Sequence, residues 1–242
     1  MAATAELFPE ISRRKVISAS RRTDMVANPD AFVQTLKKTP AALVHTLVIW
    51  TKDPQNLLNH KQLQNQLFHY DQLFLHLTIT GLGGTRIEPN VPPPFQVLDR
   101  LAELVHFVDS PRRIRLRFDP IIHVKEFNST RVENLPFFEK LAPIAAHNGI
   151  TDISISWVHI YSKVAKRLQR HGLSPLALSD KSRQQETEWL QNITQKFKLR
   201  LFGCCVPGWP TSRCIDGNLL NELHPLGYKC STRKAKGQRK QC

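Results

Sequence analysis

Six short apolar runs along the chain each end in a charged or polar cluster. Residues 16–20 lead into Arg21-Arg22-Thr23-Asp24, and residues 43–50 into Thr51-Lys52-Asp53. Residues 73–80 lead into a Gly-rich turn ending Glu88-Pro89-Asn90, and residues 114–118 into Asp119-Pro120. The last two runs, 153–158 and 199–202, lead into His159-Ile160-Tyr161 and Gly203-Cys204-Cys205. Helical patterns separate them, so strands recur about every 30 to 40 residues, the size of one strand-helix-strand step. This rhythm predicts an α/β fold with six parallel strands. An open partial (β/α)6 barrel of the TIM type and a doubly wound sheet both suit it. In either, the C-terminal strand ends carry the site.

The elements read as follows. Asn28-Pro29 and Asp53-Pro54 are each a helix cap followed by a proline at the first helical position. The second of these helices is expected to reach about Tyr70. The stretch 81–94, with three glycines and four prolines, is a long loop of the functional or mobile kind. Val97, Leu98, Leu101, Leu104, Val105 and Val108 recur at helical spacing. A helix is expected over 129–147, stopped by Asn148-Gly149, and another from an Asp180 cap to about Phe197. The chain divides into an N-terminal extension, 1–14, a strand-helix domain, 15–203, and a C-terminal extension, 204–242.

Composition narrows the class. Of 242 residues, 41% are hydrophobic, which supports a substantial core and excludes a disordered chain. No apolar run approaches the ~20 residues needed to span a bilayer, and no secretory leader pattern opens the chain. A cytoplasmic location with reduced cysteines is the default expectation. The formal net charge of +14 fits a solvated basic surface, an anionic substrate or a nucleic-acid partner. No helix-turn-helix, zinc-finger or RNA-recognition signature accompanies it, and neither G-x-G-x-x-G nor a Walker A motif is present.

Candidate site residues cluster at the strand ends. Arg21 and Arg22 suit a carboxylate or phosphate, because guanidinium is a bidentate donor; alternatively one pairs with Asp24. Lys52 suits an anionic group, whereas Asp53 reads as a helix cap. Glu88 and Asn90 either hold a substrate amine or ribose or shape a rigid bend. Arg117 and Asp119 lie on the face opposite Phe118 and pair there, as a site or as a structural bridge. Cys204, Cys205, Cys214, Cys230 and Cys242 form no C-x-x-C pair, which argues against a zinc ribbon.

Several segments together resemble one family. They are Ile17-Ser-Ala-Ser-Arg-Arg-Thr-Asp24, Trp50-Thr-Lys-Asp-Pro54, Thr78-Ile-Thr-Gly81, Glu88-Pro-Asn-Val-Pro-Pro93, Arg117-Phe-Asp-Pro-Ile121, Cys214-Ile-Asp216 and Gln238-Arg-Lys-Gln-Cys242. The chain resembles the uncharacterised family catalogued as domain of unknown function 1848. The resemblance implies a distant relative of radical S-adenosylmethionine enzymes, with a partial barrel, a [4Fe–4S] cluster and S-adenosylmethionine as cofactors. It also implies a C-terminal cysteine-rich cluster beginning at Cys242, beyond which the family continues. Either the chain is a truncated form or the tail has been lost, and an incomplete ligand set is expected. Cys205 and Cys214 are the other cysteines considered as metal ligands. The substrate is open, and the alternative functions are a basic nucleic-acid-binding or nucleic-acid-modifying protein and a metal-independent barrel that binds an anionic metabolite.

Overall fold

A computed structural model describes residues 14–19, 23–128, 130–206 and 208–233. Six strands form one parallel sheet: β1 (Lys15–Ala19), β2 (Val44–Thr51), β3 (Leu73–Thr78), β4 (Ile114–Ile121), β7 (Asp152–Trp157) and β9 (Arg200–Gly203). Three more, β5 (His123–Glu126), β6 (Arg131–Glu133) and β8 (Leu173–Pro175), make a small antiparallel sheet. The large sheet runs β1-β2-β3-β4-β7-β9, in chain order with no reversal. A doubly wound sheet reverses its order at a switch point, so that expectation is set aside. The α/β class and the parallel six-stranded sheet agree with the sequence pattern. Among the described residues the sheet is open, and no closed barrel forms.

A singly wound order puts the connecting helices on one face. These are α1 (Pro29–Lys37), α2 (Gln55–Asn59), α3 (Lys61–Leu67), α4 (Pro94–Leu98), α5 (Leu101–Phe107), α6 (Phe138–His147), α7 (Ser162–Arg170) and α8 (Asp180–Lys196). All but α7 contribute buried side chains or packed apolar ones to one core, with Leu47, Leu75, Leu116 and Ile153 from the strands. The nearly all-apolar β2 and β3 follow from burial on both faces. The opposite, inner face is covered by the C-terminal segment. There α9 (Gly217–Leu223) packs Leu220 against Val48 and Phe74. Gln72, His76 and Arg113 donate to, or share hydrogen bonds with, carbonyls of Leu220, Cys214 and Leu223. His45 does the same with the Tyr228 carbonyl at 2.9 Å.

Local differences from the sequence pattern have physical causes. The helix expected to reach Tyr70 breaks at His60, whose extended backbone lets its ring accept from the Leu63 N–H. The region 129–147 is not one helix: β6 and a single-turn helix precede α6. Asn28 makes no side-chain cap bond; Asp24 accepts from Val26 and Ala27 N–H instead. Ser179, not Asp180, caps α8. After β3 the chain turns at Gly81, with φ +79°, and a Cβ there would meet the Phe137 ring at 2.6 Å.

Candidate functional site

The C-terminal ends of β2, β3, β4 and β7 present one polar layer on the inner face. Register places Trp50 beside His76 and Thr78 beside Arg117. Alternation puts Arg117 and Asp119 on the side opposite Phe118, whose ring lies in the core. Arg117 and Asp119 form an ion pair through Nη2 and Oδ2, with side chains 13% and 12% exposed. The Ser156 hydroxyl donates to the other Asp119 oxygen. The guanidinium also lies over the Trp50 ring, 5.0 Å from its centroid. Trp50 in turn stacks on His76 and donates to Ser18 Oγ at 3.0 Å, which fixes the ring plane. Arg117 Nη1 is buried and has no hydrogen-bond partner among the described residues.

A second ion pair stands at the neighbouring strand ends. Lys52 Nζ meets Glu88 Oε1, and the Thr80 hydroxyl donates to Glu88 Oε2. The Gly/Pro loop therefore folds back over β2 and β3. Its Glu88 side chain is only 12% exposed. Asp24 is a clamp. Its Oδ2 accepts from Thr51 Oγ1 at 2.8 Å and from the Lys52 N–H at 2.9 Å, so it fixes the strand end that carries Lys52. Asp53 accepts from the Gln55 N–H at 3.1 Å, but the cap position of α2 is Pro54, one residue later than the sequence pattern expects.

Structure thus brings together Lys52, Glu88, Arg117 and Asp119, with Asp24 holding one of them in place. Asn90 is exposed and lines a separate groove beside the loop. Arg21, Arg22 and Cys242 lie outside the described residues. The sequence reading missed Trp50, Thr80 and Ser156 as members of the layer. The period-two alternation of β7, Ile-Ser-Ile-Ser-Trp, already placed Ser156 level with the Arg117 face.

Below this layer the inner face is closed. Arg115 is buried between Asp152, at 3.1 Å, and the Phe202 ring, 4.3 Å away. Burial pushes its pKa down against the opposing pull of Asp152. His224 and His45 lie with ring centroids 4.3 Å apart. Burial, then the neighbouring His45, lowers the His224 pKa to about 4.

A [4Fe–4S] cluster with one open iron needs three thiolates on one side of a cavity. Among the described residues no group of three or more His, Cys, Asp or Glu is arranged to hold a metal. Cys214 is buried under His76, and Cys230 packs beside α9, its thiol pushed up in pKa by burial. Cys204 and Cys205 follow β9 and are half-buried. The described residues alone do not fit such a cluster.

Fold and layer define a singly wound parallel α/β protein with paired charges at its C-terminal strand edge. The chain belongs to the family described as domain of unknown function (DUF1848), whose model matches residues 16–242. No curated protein and no solved structure matches the chain. Among the described residues no helix is long and apolar enough to cross a membrane.

Proposed function

We propose that the strand-end layer is the ligand site of an enzyme acting on a small molecule that carries a zwitterionic, amino-acid-like group. The observation that carries this reading is the orphaned Nη1 of Arg117, a buried donor beside two ion pairs of opposite polarity. Buried donors normally find partners, and a ligand carboxylate supplies one. A ligand ammonium then meets Glu88 or Asp119. Thr80, Ser156 and Trp50 fix these charges in place, which lowers the ordering cost of binding. Equilibrium dialysis against S-adenosylmethionine and its decarboxylated analogue tests this. Loss of the carboxylate should weaken binding about tenfold or more, or roughly 1.4 kcal/mol. Equal binding of the two sinks the assignment of Arg117.

A second reading is the radical S-adenosylmethionine-like enzyme implied by the family resemblance. The chain-order sheet, with helices on one face, supports its partial-barrel aspect. Its cluster would need thiolates from outside the described residues. Anaerobic reconstitution with iron and sulfide tests it: about four irons per chain with a spectrum perturbed by S-adenosylmethionine supports it. No retained iron, in this chain and in one extended through further cysteines, ends it. Nucleic acid as a partner rests on the net charge alone and would show as binding that falls steeply with salt.

A further inference from the structure

Helix α7 contributes no buried residue, yet it is amphipathic. Val164, Arg167, Leu168 and His171 fall at i, i+3, i+4 and i+7, a single stripe. All four line a groove of about 370 Å³. The opposite wall is the Gly/Pro loop, through Ile87, Pro89 and Asn90. The floor comes from Ile122, Val158 and Leu173, at the ends of β4 and β7 and in the small sheet. The groove adjoins the strand-end layer along the chain: Glu88 lies between its loop residues Ile87 and Pro89, and the Val158 N–H donates to the Ile121 carbonyl at 2.8 Å.

Charge decides the kind of occupant. The helix carries Lys163, Lys166, Arg167 and Arg170 and no acidic residue. Across the groove Arg86 is already neutralised by Glu126. Arg167 is the cation of α7 that lines the groove, with His171 beside it, and an apolar floor under that exposed guanidinium fits an anion with an apolar body better than a cation. The volume lies in the range of pockets that take small organic ligands.

We propose that this groove is a binding site for a small organic anion with an apolar or aromatic body, Arg167 and His171 receiving its carboxylate, sulfonate or phosphate. The site is separate from the Arg117 layer. Its role as the substrate side of a shared cleft rests on that layer being the reaction centre.

The probe is anilinonaphthalene sulfonate, whose fluorescence rises in apolar surroundings, titrated against the whole chain. Saturable binding at one site is expected. Arg167→Glu, at an exposed position, and Leu168→Glu should each weaken it about tenfold or more. Uncharged phenylnaphthylamine should bind about tenfold more weakly than the sulfonate. Arg117→Ala should leave probe binding within about twofold, well under the 1.4 kcal/mol of a tenfold change, so that failure of the Arg117 reading is seen separately. Circular dichroism melts confirm that each variant is folded. Absence of saturable binding, or binding unmoved by both α7 changes, overturns the proposal. Displacement of the probe by a stoichiometric mixed-sequence oligonucleotide also overturns it and assigns the face to nucleic acid.

Discussion

Arg117 and Asp119 are nearly buried and satisfy each other only in part, and that imbalance sets what their substitutions do. Removing Asp119 strands a buried guanidinium, a cost of about 2–4 kcal/mol for pairs sheltered from water. Asp119→Ala should therefore lower the urea midpoint more than Asp119→Asn, which keeps an acceptor for Ser156. An Asp119→Ala midpoint equal to that of the unaltered chain would show that the pair contributes little. His224 makes a second prediction at this scale. Its Nδ1 accepts from the Leu226 N–H at 3.3 Å, and its Nε2 is buried without a partner among the described residues, so the ring is held neutral. Arg14, Lys229 and Asp71 are the charges around the histidine pair. The folded pKa is about 4 against an ordinary value of 6.5, so the unfolded chain binds more protons between those values. Stability should be complete above pH 6.5 and fall progressively toward pH 4. Melting curves across that window should flatten in His224→Asn, which keeps an acceptor near Nδ1 but does not titrate. The Arg117–Asp119 face was legible in the sequence, because Phe118 between them had to face the core. Trp50 was hidden inside an apolar run, where nothing local separates an aromatic that stacks under a guanidinium from one that fills a core.

At the scale of elements, the parallel strands were readable because β2 and β3 are apolar-rich runs and β4 and β7 alternate apolar with polar residues. Helix lengths were less so. Val97 through Val108 keeps helical spacing across α4 and α5, so the break at Asp99–Arg100 leaves the hydrophobic pattern unmarked. Strand β6 was taken into a helix because its three residues are too few to show alternation. A short helix near 219–223 is legible in the sequence and is found as α9; its packing is not, because Leu220 covers Val48 and Phe74 from more than a hundred residues away, a contact no local pattern encodes. Leu220 is 1% exposed. Leu220→Asp places an unpaired charge there and should destabilise by about 3 kcal/mol or more. An unchanged melting temperature would mean that α9 does not close the inner face. Gly81→Val should be comparably harmful, because φ is positive and Phe137 blocks the Cβ. Expression with normal melting would contradict that turn.

Across the whole molecule, one feature of topology decides where chemistry can occur. A sheet in chain order leaves its inner face free of connecting helices, and the C-terminal segment closes that face only as far up as the level of His76. Above that level lies the strand-end layer, whose Glu88, Arg117 and Asp119 side chains are 12%, 13% and 12% exposed, and the α7 groove opens on the far side of the Gly/Pro loop. Among the described residues of the layer, Lys52 and Glu88, and Arg117 and Asp119, balance pair by pair. Balanced pairs favour a zwitterion over a simple anion, because each end of the ligand exchanges one partner for another without leaving a buried charge alone.

That claim is tested most directly by isothermal titration of S-adenosylmethionine into the unaltered chain, Arg117→Ala, Glu88→Gln and the double variant. The account predicts saturable binding to the unaltered chain and about a tenfold or greater loss in each single variant. The two losses should add approximately, since one charge meets the carboxylate and the other the ammonium. Absent binding, or binding that neither substitution weakens, would contradict it.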